Sequence, residues 1–273
     1  MNISDLQNKK KQGKKITLLT AYDYPSANLI DKAGIDIILV GDSLAMSVLG
    51  YDTTLPITMD EMIHHAKAVR RGVKNAFLVG DMPLKGSQGA VSDVIKNAQR
   101  FVKEAGCDAI KIEGAGEALD KVKAIIKSGI SVMGHVGLTP QTADKLGGFK
   151  VQGKDVETAQ KIINDAKLLE SAGCFSLILE CIPDELARII TEKLSIPTIG
   201  IGAGLYCDGQ ALVTNDMIGL FDKFTPKFVK KYADLSQEML KAFKLYKDEV
   251  EGLKFPAKEH SFIMKKEEAR RLK

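Results

Sequence analysis

Residues 33–42 read Ala-Gly-Ile-Asp-Ile-Ile-Leu-Val-Gly-Asp. The Ala33-Gly34 pair suits the end of a helix, where glycine takes the left-handed conformation at little cost. The apolar run at 35–40 suits a strand buried on both faces. An acid, Asp42, closes the unit. The same unit recurs. Ala105-Gly106 precedes an apolar run at 109–112 and Glu113. Ala172-Gly173 precedes 176–179 and Glu180, and Gly72 plays the same part before 76–79 and Asp81.

Further strands are predicted at 16–21, 131–134 and 197–201, with a weaker one at 211–213. Helical periodicity covers 59–71, 92–104, 117–127, 156–171 and 184–192. Strict alternation of β and α elements implies parallel strands joined by right-handed crossovers. Eight such units close into an α/β (β/α)8 TIM barrel, with residues 1–273 as one catalytic domain and a C-terminal helical extension. An open doubly wound sheet is the alternative, but the first strand runs into Thr20-Ala21-Tyr22-Asp23-Tyr24 with no glycine-rich dinucleotide fingerprint. No linker divides the chain. Residues 134–153 form a long loop after the fifth strand, which fits a functional βα loop. After Lys227 the chain turns helical and charged, and is expected to pack outside the barrel or on another subunit. Residues 263–273 read as a solvated, frayed basic tail.

A chain of 273 residues, 45% hydrophobic and 27% charged, buries a sizeable core without disulfides. The net charge of +4, from 39 basic and 35 acidic residues, does not suggest nucleic acid as a partner. No signal peptide is visible and no apolar run approaches the roughly 18 residues of a membrane span. The four cysteines lack C-x-x-C spacing. A cytoplasmic protein with reduced thiols and no membrane partner is therefore expected.

In a barrel, functional groups gather at the carboxyl ends of the strands. Those ends carry Asp23, Asp42-Ser43, Asp81, Lys111-Ile112-Glu113, His135, Glu180 and Gly202. Several acids converging on one mouth repel each other, and a divalent cation is the simplest relief. Hard oxygen donors select Mg²⁺ or a similar ion over Zn²⁺. Each residue also has a plainer reading. Asp42 and Asp81 could cap the helices that follow. Lys111 and Glu113, two apart on one strand, point into the barrel and could form an internal ion pair. Glu180 ends an apolar strand, which favours a general base of raised pKa; the alternative is a structural salt bridge. His135 is placed among the substrate contacts, against a hydrogen-bonded interior side chain. His64 and His65 are expected to be structural or exposed, and Cys181 to point away from Glu180. Gly200, Gly202 and Gly204 could admit a phosphate or serve close backbone packing.

These strings resemble the ketopantoate hydroxymethyltransferase family. The resemblance is carried by T-A-Y-D-Y-P-S-A at 20–27, A-G-I-D-I-I-L-V-G-D-S-L at 33–44 and L-G-Y-D-T-T-L-P-I-T-M-D-E-M at 49–62. G-H-V-G-L-T-P-Q at 134–141, G-G-F-K-V-Q-G-K at 147–154, L-E-C-I-P at 179–183 and I-P-T-I-G-I-G-A-G at 196–204 follow in order. C-D-G-Q at 207–210 and E-H-S-F at 259–262 complete it, so the resemblance spans about residues 15–262. It implies transfer of a one-carbon unit from 5,10-methylenetetrahydrofolate to 3-methyl-2-oxobutanoate, giving 2-dehydropantoate in pantothenate biosynthesis. It also implies Mg²⁺ and a homo-oligomer, decameric in bacterial relatives. By matching positions, Asp42 and Asp81 stand as metal ligands with Glu113 in the shell. Asp42, Ser43, Asp81 and Lys111 stand as substrate contacts, and Glu180 as proton acceptor. The sequence departs from the family pattern at Leu84-Lys85-Gly86-Ser87-Gln88, Ala45, Leu205 and Thr214-Asn215. A Mg-dependent C–C lyase of the phosphoenolpyruvate mutase/isocitrate lyase type is the alternative enzyme, though no K-x-C-G-H-like loop is present. A non-catalytic barrel is a third reading, opposed by the joint presence of Asp42, Asp81, Lys111, Glu113 and Glu180.

Overall fold

A computed structural model describes residues 1–142, 148 and 150–272. The chain runs α1 (Ile3–Lys11), β1 (Ile16–Thr20), α2 (Tyr24–Lys32), β2 (Ile37–Val40), α3 (Leu44–Ser47), α4 (Met59–Gly72), β3 (Phe77–Asp81), α5 (Leu84–Ser87), α6 (Val91–Lys103) and β4 (Ala109–Glu113). It continues α7 (Leu119–Lys127), β5 (Val132–Gly137), α8 (Val156–Ser171), β6 (Ser176–Glu180), α9 (Asp184–Lys193), β7 (Thr198–Ile201), β8 (Gly209–Leu212), α10 (Thr214–Met217), α11 (Leu235–Glu251) and α12 (Lys266–Arg270). The eight strands pair in parallel, in chain order, and β1 closes on β8. The barrel expected from the alternating pattern is therefore present. Part of the loop expected at 134–153 (143–147 and 149) and the last tail residue, Lys273, lie outside the described residues.

Two apolar layers follow from the two-residue period of the strands. Outward residues such as Ile38, Leu78, Ile110, Ile112 and Leu177 pack beneath the helices, against Phe101, Val122 and Leu169. Inward residues such as Leu18, Ile37, Phe77, Met133 and Ile178 fill the barrel. Helix α1 closes its lower end. Asn2 and Asp5 form its capping box, fully buried Leu6 enters the inner layer, and Lys9 and Lys10 pair with Asp36 and Asp208. Local periodicity gives no sign of this helix, because its apolar contact rests on Ile3 and Leu6 alone.

The crossovers are not all alike. No helix lies between β7 and β8, and the long helix after β8, α11, buries none of its residues. Its apolar stripe of Leu235, Met239, Phe243, Tyr246 and Val250 stays open to solvent. Packing outside the barrel, one of the two placements expected for this segment, is thus not realised within the described chain. In the tail, Lys266–Arg270 is helical and exposed. Among the described residues no helix is long and apolar enough to cross a membrane.

Candidate active site

Along each inward face, apolar residues below give way to polar ones at the carboxyl end. Val79 is followed inward by Asp81, Ala109 by Lys111 and Glu113, Met133 by His135, and Ile178 by Glu180. Strand register sets these groups side by side: Asp81 pairs with Lys111, and Glu113 with His135. Lys111 Nζ donates to both Asp81 oxygens at 2.7 and 2.8 Å and to Glu113 Oε1 at 3.4 Å. The pair is deeply buried, Asp81 at 1% exposure and Lys111 at 4%.

Asp42, just past β2, donates its backbone N–H to Asp81 Oδ2 at 3.1 Å. Neither acid caps a helix: Ser43 and Pro83 hold the N-cap positions of α3 and α5. Gln141 ties the carboxylates together. Its Nε2 donates to Asp42 Oδ2 at 2.9 Å and to the Met82 carbonyl at 3.0 Å. Its backbone N–H donates to Glu113 Oε2 at 3.1 Å. Ser43 Oγ lies 2.8 Å from the Tyr22 hydroxyl.

A cavity of about 490 Å³ opens above these groups, with Asp42, Ser43, Asp81, Lys111, Glu113 and Glu180 in its lining. Burial pushes the Glu180 carboxyl up to about 8; the Asp42 and Asp81 charges add to the rise and Lys111 opposes it. Burial also raises Asp81 and Glu113 against the pull of Lys111. Burial alone would lower Lys111, but the carboxylates of Asp81, Glu113 and Asp42 outweigh it and keep the ammonium charged. His135 does not line the cavity. It sits beneath, with Nε2 donating to the Leu138 carbonyl at 2.8 Å, 3.3 Å from Glu180 Oε2. Burial, then the Lys111 charge, holds its pKa well below the ordinary value, so it is neutral. With the proton on Nε2, Nδ1 faces Glu113 Oε1 at 3.6 Å and has no hydrogen-bond partner.

Cys181 departs from expectation. Its φ of 47° breaks the strand alternation, and it shares the cavity wall with Glu180 instead of turning away. Burial pushes its thiol up to about 12, which leaves no thiolate for a nucleophile at neutral pH. All four cysteines are free. His64 is exposed, and His65 bonds the Tyr22 carbonyl at 2.6 Å. The glycines of 200–204 serve close packing: a Cβ at Gly200, Gly202 or Gly204 would press on Cys207, Phe228 or Asp184.

The donor set suits a hard divalent cation. Four buried or partly buried carboxylates face one ammonium, and burial, with the neighbouring negative charges adding to it, raises the pKa values of Asp81, Glu113 and Glu180. Among the described residues no three acids, histidines or cysteines are already spaced around one ion point. Lys111 Nζ stands against Asp81, where a cation would compete with it. The sign of the resulting pH dependence is definite. Glu180 rises from 4.5 to about 8 on folding, so the folded state holds the proton more tightly. That stabilisation is full below the unfolded pKa and is lost as pH rises through about 8. Chelator-treated protein is therefore expected to melt at progressively lower temperature from about pH 5 to pH 8, with Mg²⁺ restoring more at pH 8 than at pH 5. Scanning calorimetry with and without Mg²⁺ checks this, and a flat profile in both would contradict it.

Gln141 closes the motif at 134–141, and the sequence by itself gives it no role. Its signal was a long amide two residues after Thr139 in a βα loop, where a strand-end carboxylate lies within reach. Gln141→Ala is expected to weaken Mn²⁺ binding about tenfold, as loss of a ligand-orienting partner does. Paramagnetic titration of free Mn²⁺ measures it; unchanged affinity would remove Gln141 from the site. Tyr22, which meets Ser43, and Asp216, which lines the cavity, have no such signal, since neither ends a strand.

The sequence profile described as ketopantoate hydroxymethyltransferase matches residues 1–258. A 3-methyl-2-oxobutanoate hydroxymethyltransferase of Syntrophomonas wolfei subsp. wolfei is 57% identical over 272 residues, covering 100% of this chain and 99% of its own. One from Syntrophus aciditrophicus is 54% identical, covering 95% and 96%. Among solved structures, phosphoenolpyruvate phosphomutase from Streptomyces platensis subsp. rosaceus superposes with TM-score 0.63 at 12% identity, covering 100% of this chain and 95% of that one. A 2,3-dimethylmalate lyase superposes with TM-score 0.60 at 14% identity, covering 99% and 93%. These two share the fold. The profile match and the close relatives place the sequence: the chain belongs to the ketopantoate hydroxymethyltransferase family.

Proposed function

We propose that this chain joins the one-carbon unit of 5,10-methylenetetrahydrofolate to 3-methyl-2-oxobutanoate, giving 2-dehydropantoate and tetrahydrofolate, with water supplying the hydroxyl oxygen. The observation that carries the reading is the placement of Glu180, a buried carboxylate of raised pKa, in one cavity with Asp42, Ser43, Asp81 and Lys111. The names of the close relatives support the keto acid as substrate.

Glu180 takes the proton from C3 of the keto acid. Water opens the methylene bridge: both of its C–N bonds break, the two folate nitrogens take the water protons, and the carbon leaves as formaldehyde carrying the water oxygen. The electron pair left on C3, delocalised onto the keto oxygen, then bonds to that carbon, and its oxygen takes the proton held by Glu180 to become the hydroxyl. The Asp42 and Asp81 charges contribute to the high pKa of Glu180. Neutralising them brings the base toward neutrality, where proton abstraction is most effective. Lys111 Nζ and Ser43 Oγ donate to the substrate carboxylate, which fixes C3 against Glu180. Asp42 and Asp81, with Glu113 beside them, would hold Mg²⁺, and that ion would supply the positive charge that stabilises an enolate. His135 lies beneath these groups, bonded to the Leu138 carbonyl, and does not line the cavity, so its part is to fill the floor of the site rather than to touch substrate.

The protein is read as cytoplasmic and homo-oligomeric, a decamer by resemblance. The uncovered apolar stripe of α11 supports self-association, since an isolated chain leaves it in water. The experiment is NMR detection of 2-dehydropantoate from purified protein, the keto acid, 5,10-methylenetetrahydrofolate and Mg²⁺, with a chelator control. Metal-dependent product is expected. Folded protein giving no product would overturn the reading.

A further inference from the structure

A branched five-carbon keto acid fills only part of a cavity of about 490 Å³. The polar groups crowd one end. The other end is built from the chain after β8, where Asp216, Phe221, Phe224 and Phe228 join the lining. Phe224 is 65% exposed and Phe228 37%, so apolar rings stand uncovered at the opening. Phe228 reaches its place only because residue 202 is glycine: a Cβ there would lie 2.8 Å from its ring.

Asp216 is held by its neighbours rather than through its own carboxylate. The Thr214 N–H donates to Thr20 Oγ1 at 3.0 Å, and Asn215 Nδ2 to the Ser47 carbonyl at 3.1 Å. The Tyr232 N–H donates to the Met217 carbonyl at 2.8 Å. The Thr214 hydroxyl, which donates to the Thr20 carbonyl, and the Asn215 amide give these two departures from the family pattern a structural part. Among the described residues no donor reaches the Asp216 side chain, and Lys231 is the charge that acts on it. A half-buried carboxylate without a donor, beside open aromatic rings, is complementary to a flat heterocycle that presents paired N–H groups. Lys150 and Lys227 line the same cavity and are exposed, at the place for a ligand's acidic tail.

We propose that this wall binds the pterin ring of the one-carbon donor, with Asp216 accepting from its 2-amino and N3–H groups and Phe228 covering its face. The assignment rests on the reaction proposed above. Two parallel donors on a 2-amino-4-oxopyrimidine edge match the two oxygens of one carboxylate, as a guanidinium does. An aromatic ring on the pterin face adds sequence-independent stacking. The polar end then holds the keto acid, and the reacting carbons meet between the two ends.

The test is calorimetric titration of the full protein with tetrahydrofolate in the presence of Mg²⁺ and keto acid. Asp216→Asn is expected to raise the Kd at least about tenfold, the loss of a charge-assisted bond pair. Phe228→Leu is expected to raise it severalfold. In steady state, KM for the folate rises while KM for the keto acid does not. The unaltered protein is expected to prefer tetrahydrofolate over its 2-desamino analogue, and Asp216→Asn to lose that preference. Equal affinity of Asp216→Asn and unaltered protein for tetrahydrofolate would overturn the proposal, as would equal binding of the two ligands by the unaltered protein. Deuterium uptake at C3 of the keto acid in D₂O needs no folate. Uptake without any tetrahydrofolate binding would sink the pterin assignment alone; absence of uptake in the unaltered protein would sink the reaction on which it rests.

Discussion

Glu180→Gln is expected to lower turnover by about 10²–10⁴-fold, the usual contribution of a positioned general base, and to leave Mg²⁺-dependent binding of the keto acid in place. The amide keeps the size of the carboxyl and cannot accept a proton at neutral pH. The backbone around it does not depend on that side chain. The Glu180 carbonyl accepts from the Leu138 N–H at 2.9 Å, and the Cys181 N–H donates to the Ile201 carbonyl at 2.9 Å. The substitution also removes a carboxyl whose charged form is disfavoured by burial. Its melting temperature is therefore expected to match or exceed that of the unaltered protein at pH 8. Stopped-time NMR assays give the turnover, and calorimetry with keto acid and Mg²⁺ gives the binding. Lost binding with normal folding would assign Glu180 to substrate capture and remove it as the base.

Lys111→Met is expected to destabilise the metal-free protein by about 3–5 kcal/mol at pH 8, the cost of leaving a buried partner unpaired, and to remove most activity. Methionine replaces the methylene stem, so the packing change is small. What disappears is the ammonium that touches Asp81 twice and Glu113 once. Both carboxylates already have raised pKa values with the lysine present. Without it they take protons, which is easy at pH 5 and hard at pH 8. The loss is therefore expected to be smaller at pH 5. Urea unfolding at both pH values measures it, with m-values compared to check that the transition is the same. An equal loss at the two pH values would trace the effect to packing rather than charge. Lys111→Arg is not expected to rescue activity, because a planar fork does not fit a pocket shaped around one nitrogen held at 2.7 and 2.8 Å by two oxygens.

The uncovered face of α11 and the open rings of Phe224 and Phe228 mark two different needs. The stripe on α11 runs along a 17-residue helix, an elongated apolar surface in keeping with the self-association proposed above. The rings stand at the rim of a cavity, the size of surface a flat ligand covers.

The order of the strands and the end of the barrel that gathers the polar side chains were legible from local sequence. Helix-ending glycines and apolar runs closed by Asp42, Asp81, Glu113 and Glu180 are short-range signals. A strand's two-residue period by itself sends Lys111 and Glu113 to the inner face and Ile110 and Ile112 to the outer one. Asp81, Glu113 and Glu180 end their strands as expected, while the first strand stops at Thr20 rather than at residue 21 and the weak last one runs Gly209–Leu212 rather than 211–213. What stood side by side was not legible. Parallel strands hydrogen-bond equally well in many registers, and the one adopted here, which sets Asp81 beside Lys111 and Glu113 beside His135, is chosen by packing across long crossovers. Gln141 reaches Asp42 across 99 residues of chain, and a contact of that separation leaves no local periodic trace. Helix α1 was hidden because one buried leucine is enough to seat it. The missing helix between β7 and β8 and the unburied α11 contradict the repeating unit, and only the closed barrel decided where that unit stops. Sequence periodicity thus determined which residues face inward at the barrel's mouth. Tertiary structure decided which of them touch, because contact depends on register and loop closure, and both are properties of the whole chain.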